Sequence, residues 1–239
     1  MKITTAHAIN FFEVNESLEL RPRGLVNLLQ QAAMLHSRRA GYEAPTLMKS
    51  GRAWILHRIA INISELPVFG DEVEVVTWHK GSRGFKSYRD FEIIRNGKKL
   101  VSATSLWLFI DLERKKILKA PQDVIESYTV EPADATDTDI DRWKPVNGFE
   151  PESTVTIAIR ASDYDPLGHV NNALYFDYLE TLTESAFKAP CGMRQIIVQF
   201  NREISKGVAS VQAGLKTRGE GYIFKITSGS GNNATGEFY

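Results

Sequence analysis

Across 239 residues there is a single cysteine, Cys191, so neither an internal disulfide framework nor a multi-thiolate metal site can be built. No apolar run reaches the ~20 residues that a membrane-spanning helix needs. The opening MKITTAHAINFFEVNE has no apolar core of the kind a signal peptide carries. Charge of neither sign prevails: 29 Lys and Arg stand against 29 Asp and Glu, so no global field draws the chain to nucleic acid or anionic lipid. These absences leave a reducing cytoplasm as the default expectation. What is present is ordinary for a folded protein, with 43% hydrophobic and 24% charged residues. At about 150 residues per domain, the length holds one or two.

Periodicity divides the chain into two similar halves. From Leu25 to Ala40 the residues Leu25, Leu28, Leu29, Ala32, Ala33 and Leu35 recur at helical spacing, and Gly41 stops the run. Four strand-like stretches follow, WILHRIAINI, DEVEVVTWH, SYRDFEII and VSATSLWLFID, separated by the turn sequences PVFGD, KGSRG and NGKK. The Asn96-Gly97 pair between two such stretches predicts a tight hairpin. The same order returns after residue 153: STVTIAIR, a turn at SDYDPLGHVNN, a helix over NNALYFDYLETLTESAF, then IIVQFNREI, SVQAGLKT, YIFKITS and ATGEFY. Each half thus reads as an α+β unit, a long helix packed on an antiparallel sheet, with the halves pairing edge to edge as a pseudo-dimer. The domains expected are 1–122, an acidic linker over 123–152, and 153–239. Pro22-Arg23-Gly24-Leu25-Val26-Asn27 matches Pro166-Leu167-Gly168-His169-Val170-Asn171 at four places, which sets Arg21 opposite Asp165 and Leu25 opposite His169.

The linker is poor in apolar residues, has no period and reads as a surface connection. Its acids Asp134, Asp137, Asp139 and Asp141 lack the glycine and terminal glutamate of a calcium loop, so no metal is assigned.

The stretch that carries chemistry is Asp163-Tyr164-Asp165-Pro166-Leu167-Gly168-His169-Val170-Asn171-Asn172. Pro166 and Gly168 impose a turn, and Asn171 or Asn172 can cap the helix that follows. A helix N-terminus offers N–H groups and a positive dipole end to a developing oxyanion. Gly168 lets a carbonyl approach the backbone, while Asp165 and His169 bring a carboxylate and an imidazole to the same turn. These are the parts for acyl transfer to water. Alone, His169 could be a capping residue and Asp165 an ordinary turn residue.

The run D-x-D-x-x-G-H-V-N-N-x-x-Y resembles the active-site loop of hot-dog-fold thioesterases. Further, GRAWILHRIAINISELPVFGDEVEVVTWHKGSRGFKSYRDFEI and SATSLWLFIDLERKKILKAP resemble the N-terminal hot dog of the acyl-ACP thioesterases of plants and bacteria, and VQFNREISKG their C-terminal one. The resemblance implies a tandem, double hot-dog fold and hydrolysis of an acyl thioester on the phosphopantetheine arm of acyl carrier protein, with no cofactor. It places the family's catalytic aspartate on Asp165, its histidine on His169 and its glutamate on Glu203. Two positions depart: Leu167 stands where the plant pattern has asparagine, and Ile204 where it has cysteine. Backbone N–H groups of Gly168, His169 and Val170 are expected to hold the oxyanion. Trp54, Leu167 and Asn171 are expected at the substrate, and Trp78, Trp107, Met34 and Leu35 are further candidates for an acyl pocket in the first half. One active site per chain follows, in a monomer or a homodimer.

Simpler roles compete at several positions. A strand glutamate beside Arg202 is often plain surface charge, Cys191 reads as a small structural thiol, and His36, His57 and His79 lack ligand spacing. The stretch from Lys80 to Lys119 holds eleven Lys and Arg against four acids. It is either a solvated sheet face or a docking surface for an acidic carrier protein. The alternatives to an acyl-ACP thioesterase are an acyl-CoA thioesterase on the same scaffold and a catalytically silent acyl-binding module.

Overall fold

Alternation begins earlier than the sequence reading placed it. In the computed structural model, which describes residues 1–188 and 192–239, Ile3–Ala8 form a first strand, β1, with every second side chain turned inward. Small and polar residues (Thr4, Thr5, Ala6, His7) obscure that pattern in the letters, but pairing with a later strand fixes it. Cys191, read above as a structural thiol, lies outside the described residues.

The chain forms two units, Met1–Arg142 and Trp143–Tyr239. In the first, β1 is followed by helix α1 (Pro22–Arg39), short helix α2 (Ala44–Lys49), strands β2 (Arg52–Ile63), β3 (Glu72–Arg83), β4 (Lys86–Arg95), β5 (Lys98–Asp111) and β6 (Lys116–Leu118), and short helix α3 (Gln122–Glu126). The strand order is β1-β3-β4-β5-β2, with β6 on β5, and every pairing is antiparallel. Helix α1 starts on Pro22, whose missing N–H costs nothing at a helix entrance, and buries Leu25, Val26, Leu28, Leu29, Ala32, Ala33 and His36. The Asn96-Gly97 hairpin forms as expected: both residues have positive φ (52° and 76°), the backbone that a two-residue turn between twisted strands requires.

The second unit holds β7 (Ser153–Ala158), α4 (Leu174–Phe187), β8 (Gln195–Phe200), β9 (Ser210–Arg218), β10 (Gly221–Ser228) and β11 (Gly231–Phe238), in the order β8-β11-β10-β9-β7. Helix α4 begins later than the asparagines suggested, because residues 171–173 make tight turns first, with Leu174 N–H donating to the Asn171 carbonyl. At Gly236 on β11 an added Cβ would lie 2.2 Å from the Ile197 carbonyl oxygen and 2.5 Å from the Phe224 ring, so only glycine fits there.

The linker expectation is corrected. Its first part is packed into unit 1: the Trp78 indole donates to the Ala133 carbonyl (2.8 Å), Ala135 N–H to the Asp90 carboxylate (2.8 Å) and Arg58 to the Ile140 carbonyl (3.0 Å). Ala135, Ile140 and Phe149 are buried one at a time, which leaves no period to read.

The repeat is real, but in another register. Both units run from a strand through a one-turn 3₁₀ helix (Phe11–Glu13, Ala161–Asp163) into a closed loop and then the long helix. Isolated bridges Val14–Leu20 and Tyr164–Val170 pin each loop, which sets Asn15 opposite Asp165, Leu18 opposite Gly168 and Glu19 opposite His169. The expected pairing of Arg21 with Asp165 and Leu25 with His169 does not hold. Pro22 to Asn27 lie inside α1, whereas Pro166 to Asn171 form the loop, so their matching letters sit in different backbones.

Candidate active site

The loop from Asp163 to Asn171 is closed by its own backbone. Asp165 N–H donates to the His169 carbonyl (2.8 Å), Gly168 N–H to the Asp165 carbonyl (2.9 Å) and Asn171 N–H to the Asp163 carbonyl (3.0 Å). Gly168 has φ of +79°, which glycine alone adopts without cost. Asp163, not singled out above, anchors the loop: its buried carboxylate accepts from the Arg160 backbone N–H (3.0 Å), the Arg160 guanidinium (3.0 Å) and the Tyr178 hydroxyl (3.4 Å).

Asp165 is half-buried, and one of its oxygens, Oδ1, accepts from Leu167 N–H (2.9 Å) and His169 N–H (3.4 Å). These bonds fix the carboxylate plane. The other oxygen, Oδ2, has no hydrogen-bond partner among the described residues. His169 Nε2 lies 3.1 Å from Glu203 Oε2, with both side chains partly open to solvent at 26% and 33%. Glu203 stands just past the end of β8, in the loop that follows, rather than within the strand. That loop is tied to the Asp163–Asn171 loop by Val170 N–H donating to the Ile204 carbonyl (3.0 Å) and by a bridge between His169 and Ser205. Ser205 Oγ donates to Glu203 Oε1 (3.3 Å), so the carboxylate is held from both sides. Nothing in the letters marks Ser205; its role arises from the loop's fold. Burial, together with Tyr178 and Glu203 nearby, keeps the Tyr175 hydroxyl protonated well above the usual tyrosine range.

The three expected oxyanion donors are all engaged inside the protein. Gly168 N–H bonds Asp165 O, Val170 N–H bonds Ile204 O, and His169 N–H bonds Asp165 Oδ1, the last being the longest. The Asn171 side chain is oriented by Ala173 N–H on its oxygen (2.8 Å), which turns its NH₂ away from that contact and leaves it without a partner among the described residues.

The same loop in unit 1 keeps the scaffold and changes the side chains. Ser17 and Glu19 N–H donate to Asn15 Oδ1 (2.9 and 3.0 Å), as Leu167 and His169 do to Asp165. Asn15 gives an amide in place of the carboxylate, Glu19 replaces the imidazole, and Leu66 stands where Glu203 does. Contrary to the register used above, unit 1 does hold a carboxylate here, but on the histidine's side and without a base partner.

Of the pocket candidates in unit 1, Trp54 packs on Phe109 (ring centroids 4.9 Å) beside Leu47 and Ala120. Trp78 is fully buried, and Trp107 donates to Ser105 Oγ (2.8 Å). Leu35 is half-buried, and Met34 is half exposed, which removes it from an interior wall. The basic stretch is partly neutralised in place. Lys80 pairs with Asp90 and Asp134, Lys86 with Asp141, Arg95 with Glu65 and Asp71, Lys98 with Glu65 and Lys99 with Glu92, while Arg89 is buried. Asp134 and Asp141 of the linker therefore serve as counter-ions, and among the described residues no group of three or more candidate ligands could hold a metal ion. No described helix is long and apolar enough to cross a membrane.

Residues 1–128 match the family model for the acyl-ACP thioesterase N-terminal domain, and 137–235 that for the C-terminal domain. A chloroplastic acyl-[acyl-carrier-protein] hydrolase of Cuphea viscosissima is 26% identical over 231 residues, covering 90% of this chain and 55% of its own. The chain spans about half the length of the curated relatives it matches. An acyl-ACP thioesterase from Bacteroides thetaiotaomicron superposes with a TM-score of 0.87 at 22% identity, covering 99% of this chain and 96% of that one. The 12:0-ACP thioesterase from Umbellularia californica does so with 0.85 at 18%, over 99% and 96%. These likenesses establish the double hot-dog fold.

Proposed function

As a member of the acyl-ACP thioesterase family, this chain is one for which we propose hydrolysis of acyl-ACP to free fatty acid and holo-carrier protein, carried out by Asp165, His169 and Glu203. The observation that carries the reading is a fixed carboxylate with one open oxygen on the same closed loop as His169, whose Nε2 meets Glu203 (3.1 Å) from the loop after β8.

A thioester expels a thiolate whose conjugate acid has a pKa of about 8.5, so strong acid catalysis is unnecessary. What the site must supply is an activated oxygen and a place for the oxyanion. Asp165 Oδ2 takes the proton of the attacking water, its direction set by the two N–H bonds on Oδ1. With Glu203 ionised, His169 donates through Nε2 and presents Nδ1 as the base that carries the proton toward the departing sulfur. The NH₂ of Asn171 and the loosely held N–H of His169 are the donors we assign to the oxyanion, in place of Gly168 and Val170. Leu167, the residue departing from the plant pattern, donates its backbone N–H to Asp165 and so helps orient it from the main chain. Ile204, in the place of the plant cysteine, supplies only a backbone carbonyl to the loop.

The test is release of free thiol from matched acyl-ACP and acyl-CoA panels. Faster turnover of the carrier-bound thioesters is expected. Preference for CoA would keep the chemistry and replace the partner; acyl binding without turnover would make the chain a binding module.

A further inference from the structure

Unit 1 uses the catalytic loop's backbone for something else. Where unit 2 has Ala161, Ser162, Gly168, Ser205 and Lys206, the corresponding residues of unit 1 are Phe11, Phe12, Leu18, Val68 and Phe69. All five are exposed, Phe12 at 93% and Phe11 at 61%. They are contiguous: the Phe11 ring meets those of Phe12 and Phe69 edge-on at 5.8 Å, and Phe69 N–H donates to the Leu18 carbonyl (2.8 Å). Leu18 holds φ at +62°, a left-handed backbone in which leucine is strained, at the place where unit 2 has glycine. Folding of unit 1 gains nothing from an exposed, strained leucine or from three open phenylalanines, because unit 2 closes the same loop with small and polar residues. Such a patch marks an interaction surface.

We propose that this aromatic patch is a self-association surface, docking on the same patch of a second copy of the chain. Two features of the patch select that occupant. With 150–250 Å² per phenylalanine, the patch offers about 500 Å², so a twofold contact removes roughly 1,000 Å² in all, the lower bound for a specific dimer. Next, residues 10–20 and 65–72 carry Glu13, Glu16, Glu19, Glu65, Asp71 and Glu72 and no Lys or Arg. That rim repels an acidic carrier protein and anionic lipid alike. Its self-repulsion is reduced where Glu65 and Asp71 are already paired with Arg95. An apolar centre inside a like-charged rim gives association that strengthens as salt screens the rim.

Sedimentation velocity of the full chain from about 1 to 200 μM, at low and high salt, tests this. The expected result is a monomer–dimer transition whose midpoint falls with added salt. Phe12→Ser/Phe69→Lys, which copies the residues of unit 2, is expected to raise the midpoint about tenfold or more, with melting temperature and thiol release unchanged. Phe12→Ser alone, altering the most exposed ring, serves where the double variant melts early. A wild type that stays monomeric at the highest loading overturns the proposal, as does a dimer that survives both substitutions. A monomeric wild type that pelletises with phosphatidylcholine vesicles through Phe12 also overturns it, assigning the patch to lipid.

Discussion

Asn15 is a natural control for Asp165. An amide in that position closes the same loop with the same pair of N–H bonds, at 2.9 and 3.0 Å. Asp165→Asn therefore leaves the fold intact and removes only the ionisable oxygen; kcat is expected to fall by roughly 10²–10⁴, the range for a group acting in the chemical step. Glu203→Gln keeps a hydrogen bond to His169 Nε2 but removes the charge that favours an open Nδ1, and a loss of about 10–100-fold in kcat with little change in KM is expected. Steady-state kinetics checks this, and an unchanged kcat would make Glu203 surface charge after all. Asp165 and His169 were legible because proline, glycine and two polar side chains crowd into one short turn. Glu203 was legible only through the family resemblance. The donors proposed for the oxyanion were not, since whether Val170 N–H is open depends on Ile204, which the fold and not the neighbouring sequence brings to it.

Among the elements, the strands and the long helices could be read from their periods, and the Asn96-Gly97 turn from its need for two positive φ angles. What could not be read were contacts that cross elements. His36 on α1 is one: its Nδ1 accepts from the Arg89 guanidinium on β4 (2.8 Å), and since arginine only donates, His36 is neutral. Burial first, and then Arg89, pushes both His36 and His79 down to about 4. Above about pH 7.5 both are neutral folded or unfolded and contribute no pH dependence. Between 6.5 and 4 the unfolded chain takes up protons that the folded chain refuses, so stability falls with pH, on the order of 2–3 kcal/mol per histidine. Thermal melts from pH 7 to 4.5 should show this decline, and His36→Gln, whose oxygen can take the same Arg89 N–H, should make it shallower. An identical slope would remove His36 from the account. On β11, Gly236→Ala must displace the Ile197 carbonyl or the Phe224 ring, and a loss of about 3 kcal/mol or more is expected in a denaturant melt of the full chain. An alanine variant as stable as wild type would mean that strand relaxes freely.

For the whole molecule, duplication was legible and its register was not: four matching letters outweighed, on the page, a correspondence that only the hydrogen bonds reveal. Reading the right register changes the meaning of unit 1, from a half with neither carboxylate nor imidazole at those places to a loop with an intact scaffold and different side chains. Charge at this scale also reads differently in three dimensions. Arg114, Lys116 and Lys119 near β6 have no carboxylate partner among the described residues, whereas most cations of β3 to β5 do. If a carrier protein docks by charge, KM should rise several-fold with ionic strength and Lys116→Glu should reproduce the rise at low salt; a KM flat with salt would exclude docking of that kind. The central claim is that one of two loops built on the same backbone is catalytic. Its most direct test is single-turnover thiol release from acyl-ACP by the wild type, Asp165→Asn and Asn15→Asp, with melting curves for each. The account predicts that all three fold, that Asp165→Asn alone loses roughly 10²–10⁴ in rate, and that Asn15→Asp matches the wild type. A folded Asp165→Asn protein retaining more than about a tenth of the rate would contradict it.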